Sequence, residues 1–294
     1  MNAKTRGVVI AGVLFLAVIT GLLFTARRTP QYGGKTLSEW LVMLDPNVDR
    51  AADHKKAAEA INQMGAAALP QLGQILRSRP NSISQRIRDY AERWHLMKPP
   101  NLMLQDQQLR AARAAYNLAE DADVNIAALV PDLRYHLTNS NYADTEMARA
   151  LARAGSEGIS CLTNFLVTGD PRVRKRAGWA LTLDGRIRSQ PGVQDALIHS
   201  ANSDPDGRIR ASMVFGLSTF RKGGETNRLI PLGLQYLRSE DGFNRWAGAS
   251  LLQNYRSVPE VKTALHAAVS DPDERVRSVI ERALKEPAAE KGRR

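Results

Sequence analysis

Apolar and small residues recur at helical spacing along the second half of the chain, and one short pattern returns about every 33 residues. Its clearest copies are Val173–Leu181, Ile209–Leu217, Phe243–Leu251 and Val276–Leu284. Weaker copies end at Leu118 and Leu151, so successive ends lie 33, 30, 36, 34 and 33 residues apart. One helix of this kind cannot bury its apolar side alone. A second helix between successive copies supplies half of each layer, and neighbouring pairs supply the rest. A period of this size therefore predicts an all-α chain, an α-solenoid of stacked helix pairs.

The punctuation between helices agrees with the period. Gly65, Gly155 and Gly185 each lie four residues beyond Ile61, Leu151 and Leu181, where a left-handed residue ends a helix. Pro70, Pro131 and Pro231 fall where the first turn of a second helix is expected. Asp170-Pro171, Asp204-Pro205 and Asp271-Pro272 read as starts of first helices, the Asp capping free NH groups. At the front, Thr36 and Glu39 fit a capping box, and Leu37, Trp40, Leu41 and Leu44 share one face. This helix caps the first layer, and Ala51–Met64 with Ala68–Arg77 forms the first pair.

The spacing breaks once. Ile61 and Leu118 are 57 residues apart, so a helical insert is expected at about 78–105. Within it, Ser82–Met97 is amphipathic, with Ile83, Ile87, Tyr90, Trp94 and Met97 on one face, and Lys98-Pro99-Pro100 ends it. The reading is a helix that covers the first layers, with partner binding as the alternative.

A different pattern opens the chain. Gly7–Thr25 is 19 residues without a charge, close to the length that spans a ~30 Å hydrocarbon core. Lys4 and Arg6 precede it, and Arg27 and Arg28 follow. A cleaved signal peptide is the alternative, but a cut after Ala26 would put Phe24 where a small residue is preferred. The expectation is an uncleaved anchor over residues 1–28, spanning at 7–25, and a polar linker over 29–35. A basic start before an apolar run and a long domain favours a solenoid on the extracytoplasmic, periplasmic side. A basic tail, 287–294, is expected to be disordered.

The formal charge of +11 permits an anionic partner without demanding one, since four cations belong to residues 1–28. The single cysteine, Cys161, excludes an intramolecular disulfide and a cysteine zinc cluster. It sits beside Leu162 and reads as a buried inert thiol. His54, His95, His136, His199 and His266 are scattered, with no HExxH. Asp204-Pro205-Asp206-Gly207 resembles a calcium loop but lacks its third acidic ligand, and position twelve is Phe215. No catalytic set, cofactor or metal is expected. Trp179 and Trp246 are expected in the core.

The repeats resemble HEAT repeats. An Asp-Pro-x-x-Arg-Val-Arg-type opening is best at Asp271–Arg277, with partial forms at Asp204–Ala211 and Asp170–Ala177; Gly65–Leu72 resembles the Gly-x-x-Ala-x-Pro-x-Leu bridge. Gly34–Leu41 is similar to the start of bacterial membrane-anchored HEAT-repeat proteins, which carry a similar insert after the first repeat. The resemblance covers roughly 34–286 and implies a binding protein. The chain departs from the pattern at Asn244 and at residues 105–118, where alanines replace larger core residues.

Two surfaces are candidate sites. Aligning second helices on Leu72, Leu133, Leu162, Leu197 and Gly233 places Gln74, Tyr135, Asn164, His199 and Gln235 in one polar, uncharged column that would contact a protein or peptide. The second is a basic stretch over 172–222, including Arg172, Arg174, Lys175, Arg176, Arg186, Arg188, Arg208 and Arg210. Such a stripe would suit an anionic polymer or nucleic acid. The same arginines, recurring near first-helix starts, could instead pair with a neighbour's Asp as a structural ladder, which is the preferred reading and disfavours nucleic acid. The function expected is a non-catalytic protein-interaction scaffold tethered to a membrane through residues 7–25, with a solenoid over 36–286. Anionic-polymer binding is the alternative. A lyase or glycosylase on this scaffold rests on fold analogy alone.

Overall fold

A computed structural model describes residues 30–44, 51–78, 100–139, 145–183, 185–220 and 226–285. The spanning segment 7–25, the helix expected at Ser82–Met97 and the tail 287–294 lie outside them. Among the described residues no helix is long and apolar enough to cross a membrane. The chain forms two units, Met1–Ile126 and Ala127–Arg294.

The first unit opens on a hairpin where a plain linker was expected. β1 (Gln31–Tyr32) pairs antiparallel with β2 (Lys35–Thr36). Gly33 and Gly34 have φ of +57° and +76°, and two such residues in succession close a two-residue turn that other residues resist. Thr36 then caps α1 (Leu37–Val42) through the expected box, its hydroxyl accepting from the Glu39 amide while Glu39 accepts from the Thr36 amide. Leu37, Leu41 and Leu44 are buried, and the Trp40 indole donates to the Tyr32 carbonyl at 3.0 Å.

α2 (Ala51–Met64) ends at Gly65, φ +57°, and a 3₁₀ turn (Gly65–Ala68) leads into α3 (Leu69–Arg77) with Pro70 in its first turn. α4 (Pro100–Asp121) packs on α1, α2 and α3. It begins at Pro100, within the insert expected at about 78–105. The alanines that seemed a departure are its packing face. Ala111, Ala112, Ala114 and Ala115 are fully buried with Leu118, since small side chains let helices approach closely. Gln108 donates to the Ser78 carbonyl at 2.6 Å, satisfying a group at the end of α3.

The second unit has two rows. α5 (Val130–Asn139) opens it, and pairs follow: α6 (Thr145–Arg153) with α7 (Gly155–Thr168), and α8 (Pro171–Leu181), joined by the one-turn α9 (Gly185–Arg188), with α10 (Val193–Ser203). Next come α11 (Gly207–Leu217) with α12 (Thr226–Leu237), α13 (Gly242–Leu252) with α14 (Pro259–Ala267), and finally α15 (Glu274–Leu284). First helices pack in succession, α6 on α8, α8 on α11, α11 on α13 and α13 on α15. The second helices α5, α7 and α10 form the other row, continued by α12 with α14. The aligned second-helix positions Leu133, Leu162, Leu197 and Gly233 are buried between the rows. Contact is close at α12 and α13, where a Cβ on Gly248 would lie 2.5 Å from the Leu237 amide nitrogen.

Several expected boundaries are corrected. Asp170 caps α8 through the Arg172 and Val173 amides, but the caps of α11, α13 and α15 are Asp206, Asp241 and Asp273. Asp204 and Asp271, two residues ahead of their caps, are buried instead. Measured from the caps, Leu252 and not Leu251 matches Leu181 and Leu217, and Arg245 matches Arg174 and Arg210. Asn244 is therefore no departure; the alignment had slipped by one residue at the adjacent leucines. Gly185 does not take a left-handed angle and opens α9, while Gly155 at φ +71° does as expected. Pro231 stands inside α12, because Thr226 starts that helix a turn earlier than its proline suggested.

Candidate functional site

The basic stretch does not form one stripe, because several of its guanidinium groups tie helix ends together. Arg174 is buried and grips Asp204 bidentately, at 2.7 and 3.0 Å, while donating to the Gly169 carbonyl at 3.0 Å. The bond to Asp204 raises its pKa further. Arg210 donates to the Asp204 carbonyl at 2.6 Å, and Arg188 donates to the Thr182 carbonyl at 3.0 Å. Arg172 pairs with the cap Asp170 at 3.2 Å, both partly exposed. Lys175, Arg186 and Arg208 are exposed, and Arg176 is half-buried.

The rung recurs one repeat on from Arg210. Arg245 grips Asp271 at 2.8 and 3.1 Å and donates to the Ser239 and Glu240 carbonyls. Arg245 holds the Asp271 carboxyl below the usual carboxylate range. Arg275 pulls its neighbour Asp273 down to about 2. Between these two rungs the chain has Ser239, not Asp, and nearby the Tyr236 hydroxyl, whose pKa burial raises, donates to the Ala201 carbonyl at 3.1 Å.

The proposed column is exposed throughout. Gln74 belongs to the first unit, on α3. Tyr135, Asn164, His199 and Gln235 lie on α5, α7, α10 and α12 of the second. Tyr135 meets His136 edge-on at 5.4 Å, and Gln235 lines a small cleft between α10 and α12 with Asn202, Asn227 and Arg228. His136 is buried, and Cys161 is half-buried with its thiol pKa raised by burial, which disfavours the thiolate.

A mostly apolar cleft lies on the other row. About 770 Å³ in volume, it crosses α8, α11 and α13, lined by Trp179, Met213, Phe215, Phe243 and Trp246. Phe215 stacks on Trp246, ring centroids 4.3 Å apart at 21°, and Phe243 leans on the same indole at 5.4 Å. Trp179 is 42% exposed and Phe215 37%, so the expected core placement of Trp179 is corrected. The reason is helical phase. Val173, Ala177 and Ala180 face inward, whereas Arg172, Lys175, Arg176 and Trp179 follow at three- and four-residue steps on the opposite stripe. The stripe follows from the sequence spacing, which sets Trp179 with the cations and apart from Val173 and Ala177. The lining includes three cations, Arg172, Lys175 and Arg176, all from α8, and among the described residues no carboxylate, histidine or cysteine. Towards the starts of α11 and α13 the groove continues past Lys175 and Arg208 to the caps Asp206 and Asp241, each already accepting from its own helix. Among the described residues no cluster of His, Cys, Asp and Glu could hold a metal.

Residues 126–218, from α5 to α11, match the family model described as HEAT repeats. No curated protein matches the chain. Similar solved structures include an engineered protein at 20% identity and TM-score 0.42, over 86% of this chain and 67% of that one. A second engineered protein is 21% identical at TM-score 0.29, over 84% of this chain and 94% of the other. Human deoxyhypusine hydroxylase in complex with glycerol is 14% identical at TM-score 0.29, with 84% and 94% covered. At these values the likeness carries nothing about activity.

Proposed function

We propose that the chain is a non-catalytic scaffold that holds a protein partner in the cleft across α8, α11 and α13. The observation that carries this is the exposure of Trp179 and Phe215 beside the stacked Trp246. Single exposed apolar residues are ordinary, but contiguous aromatic surface edged by arginine is the composition of binding hot spots. HEAT repeats suit such a role, and the cleft lining is mostly apolar and aromatic. The proposal keeps the membrane tether at residues 7–25 and the extracytoplasmic placement, both resting on the sequence alone. Protease accessibility of residues 30–294 in intact and lysed spheroplasts tests that placement. The site is tested by photo-crosslinking residues placed at Trp179 and Phe215 in one series and at Tyr135 and His199 in another. A discrete protein adduct from the first series alone supports the cleft. An adduct only from the second moves the site to the other row and removes this reading.

A further inference from the structure

Resting on the cleft as a protein-binding site, we infer that its ligand is an extended segment about six residues long, with carboxylates at one end and a bulky apolar side chain at the other. The length comes from the row. Helices packed in contact lie about 8–10 Å apart, so α8 to α13 is about 18 Å, which an extended chain covers in about six residues at ~3.3 Å each. A compact small molecule would leave one wall unfilled.

The polarity comes from the distribution of charge. Every cation of the apolar cleft is on α8, where Lys175 is exposed and Arg172 and Arg176 flank it. α11 contributes Met213 and Phe215 with Ser212 and Gly216, and α13 contributes Phe243 and Trp246. One end therefore takes carboxylates and the other takes rings or aliphatic side chains. A nucleic-acid strand would need phosphate partners repeated along the track, and α13 supplies none to the cleft. The carboxylates nearest the groove, Asp206 and Asp241, accept from the Arg208 and Asn244 amides at their own helix starts. They stand beside Lys175 and Arg208, so a segment entering from that side is repelled unless its acids stay over α8.

The test uses the 294-residue chain in lipid nanodiscs and fluorescein-labelled hexapeptide pools, read by anisotropy. One pool carries two Asp or Glu at one end and Trp, Phe or Leu at the other, in both directions. A second replaces the acids by Lys, a third by Ser, and a 12-nucleotide single strand is the fourth probe. The acidic pool should bind at least ten-fold more tightly than the lysine pool. Lys175→Ala should shrink that ratio and Lys175→Glu should invert it, both at an exposed position where folding is not at stake. Trp179→Ala should weaken the acidic and serine pools together. If all three peptide pools bind alike and all are lost in Trp179→Ala, the acidic preference is overturned while the cleft reading stands. If only the oligonucleotide binds, or no probe binds, both are overturned.

Discussion

The two rows of the second unit are built from the same kind of helix and are held differently. First helices pack in unbroken succession, and two buried rungs, Arg174–Asp204 and Arg245–Asp271, tie α8 to the start of α11 and α13 to the start of α15. In the second row α10 and α12 enclose a small polar cleft, and the ion pair there, Arg228–Asp195 at 2.6 Å, is exposed on both sides. The difference teaches where a repeat array can place a binding surface. The Arg174–Asp204 pair ties the helix of Trp179 to that of Phe215, and across α11 and α13, where the rung is missing, Phe215 stacks directly on Trp246. A loosely joined row presents single polar side chains, and Tyr135, Asn164, His199 and Gln235 are of that kind.

The sharpest way to break this comparison is to cut one ion pair in each row. Asp204→Ala leaves a buried guanidinium uncompensated and should cost about 3–5 kcal/mol in urea unfolding. Asp195→Ala removes an exposed pair and should cost about 0–1 kcal/mol. Equal losses would erase the distinction between the rows. Arg174→Met with Asp204→Leu should recover most of the stability, because neither buried charge remains. Next in size is Gly248→Ala, whose methyl meets backbone of α12 and should cost about 1–3 kcal/mol. A neutral result would mean that the rows are not in close contact there.

Acid should act on the first row. Arg245 depresses Asp271, and Arg275 holds Asp273 at about 2. A carboxylate depressed in the fold stabilises it above the unfolded value, near 4, and that contribution is lost as pH falls through the folded value. Stability should therefore hold from neutrality to about pH 4 and decline from there towards pH 2, as followed by circular dichroism with urea. The smallest expected effect is on the second row. Tyr135→Ala with His199→Ala should change stability by about 0.5 kcal/mol or less and leave a cleft-bound partner in place. Loss of that partner in a pull-down would restore the column as the site.

The helix pairs were legible because period, glycines and prolines reported the same boundaries, and the α1 capping box was legible to the atom. The misreadings share a cause. Asp204 and Asp271 precede proline, as caps often do, but each acidic pair there holds two carboxylates, and only tertiary packing decides which one caps and which receives an arginine from the preceding pair. At Leu251 and Leu252 the two candidates are chemically the same residue, and only the distance from the Asp241 cap separates them. The column and the basic stretch were sought in side-chain character. The cleft depended on which stripe of α8 faces α6 and α11, a contact between distant residues that spacing alone implied through Val173, Ala177 and Leu181.

Caps Asp170, Asp206, Asp241 and Asp273 are spaced 36, 35 and 32 residues apart, and since each first helix has 11 residues the differences fall in the second helices and turns. A stacked array flexes by summing small rotations at each interface. The walls carrying Trp179 and Trp246 are separated by two such interfaces, and the width between them follows the curvature of the row. Occupancy of the cleft and bending of the array are then one mechanical variable: a filled cleft stiffens the row, and a load that bends the row loosens whatever the cleft holds.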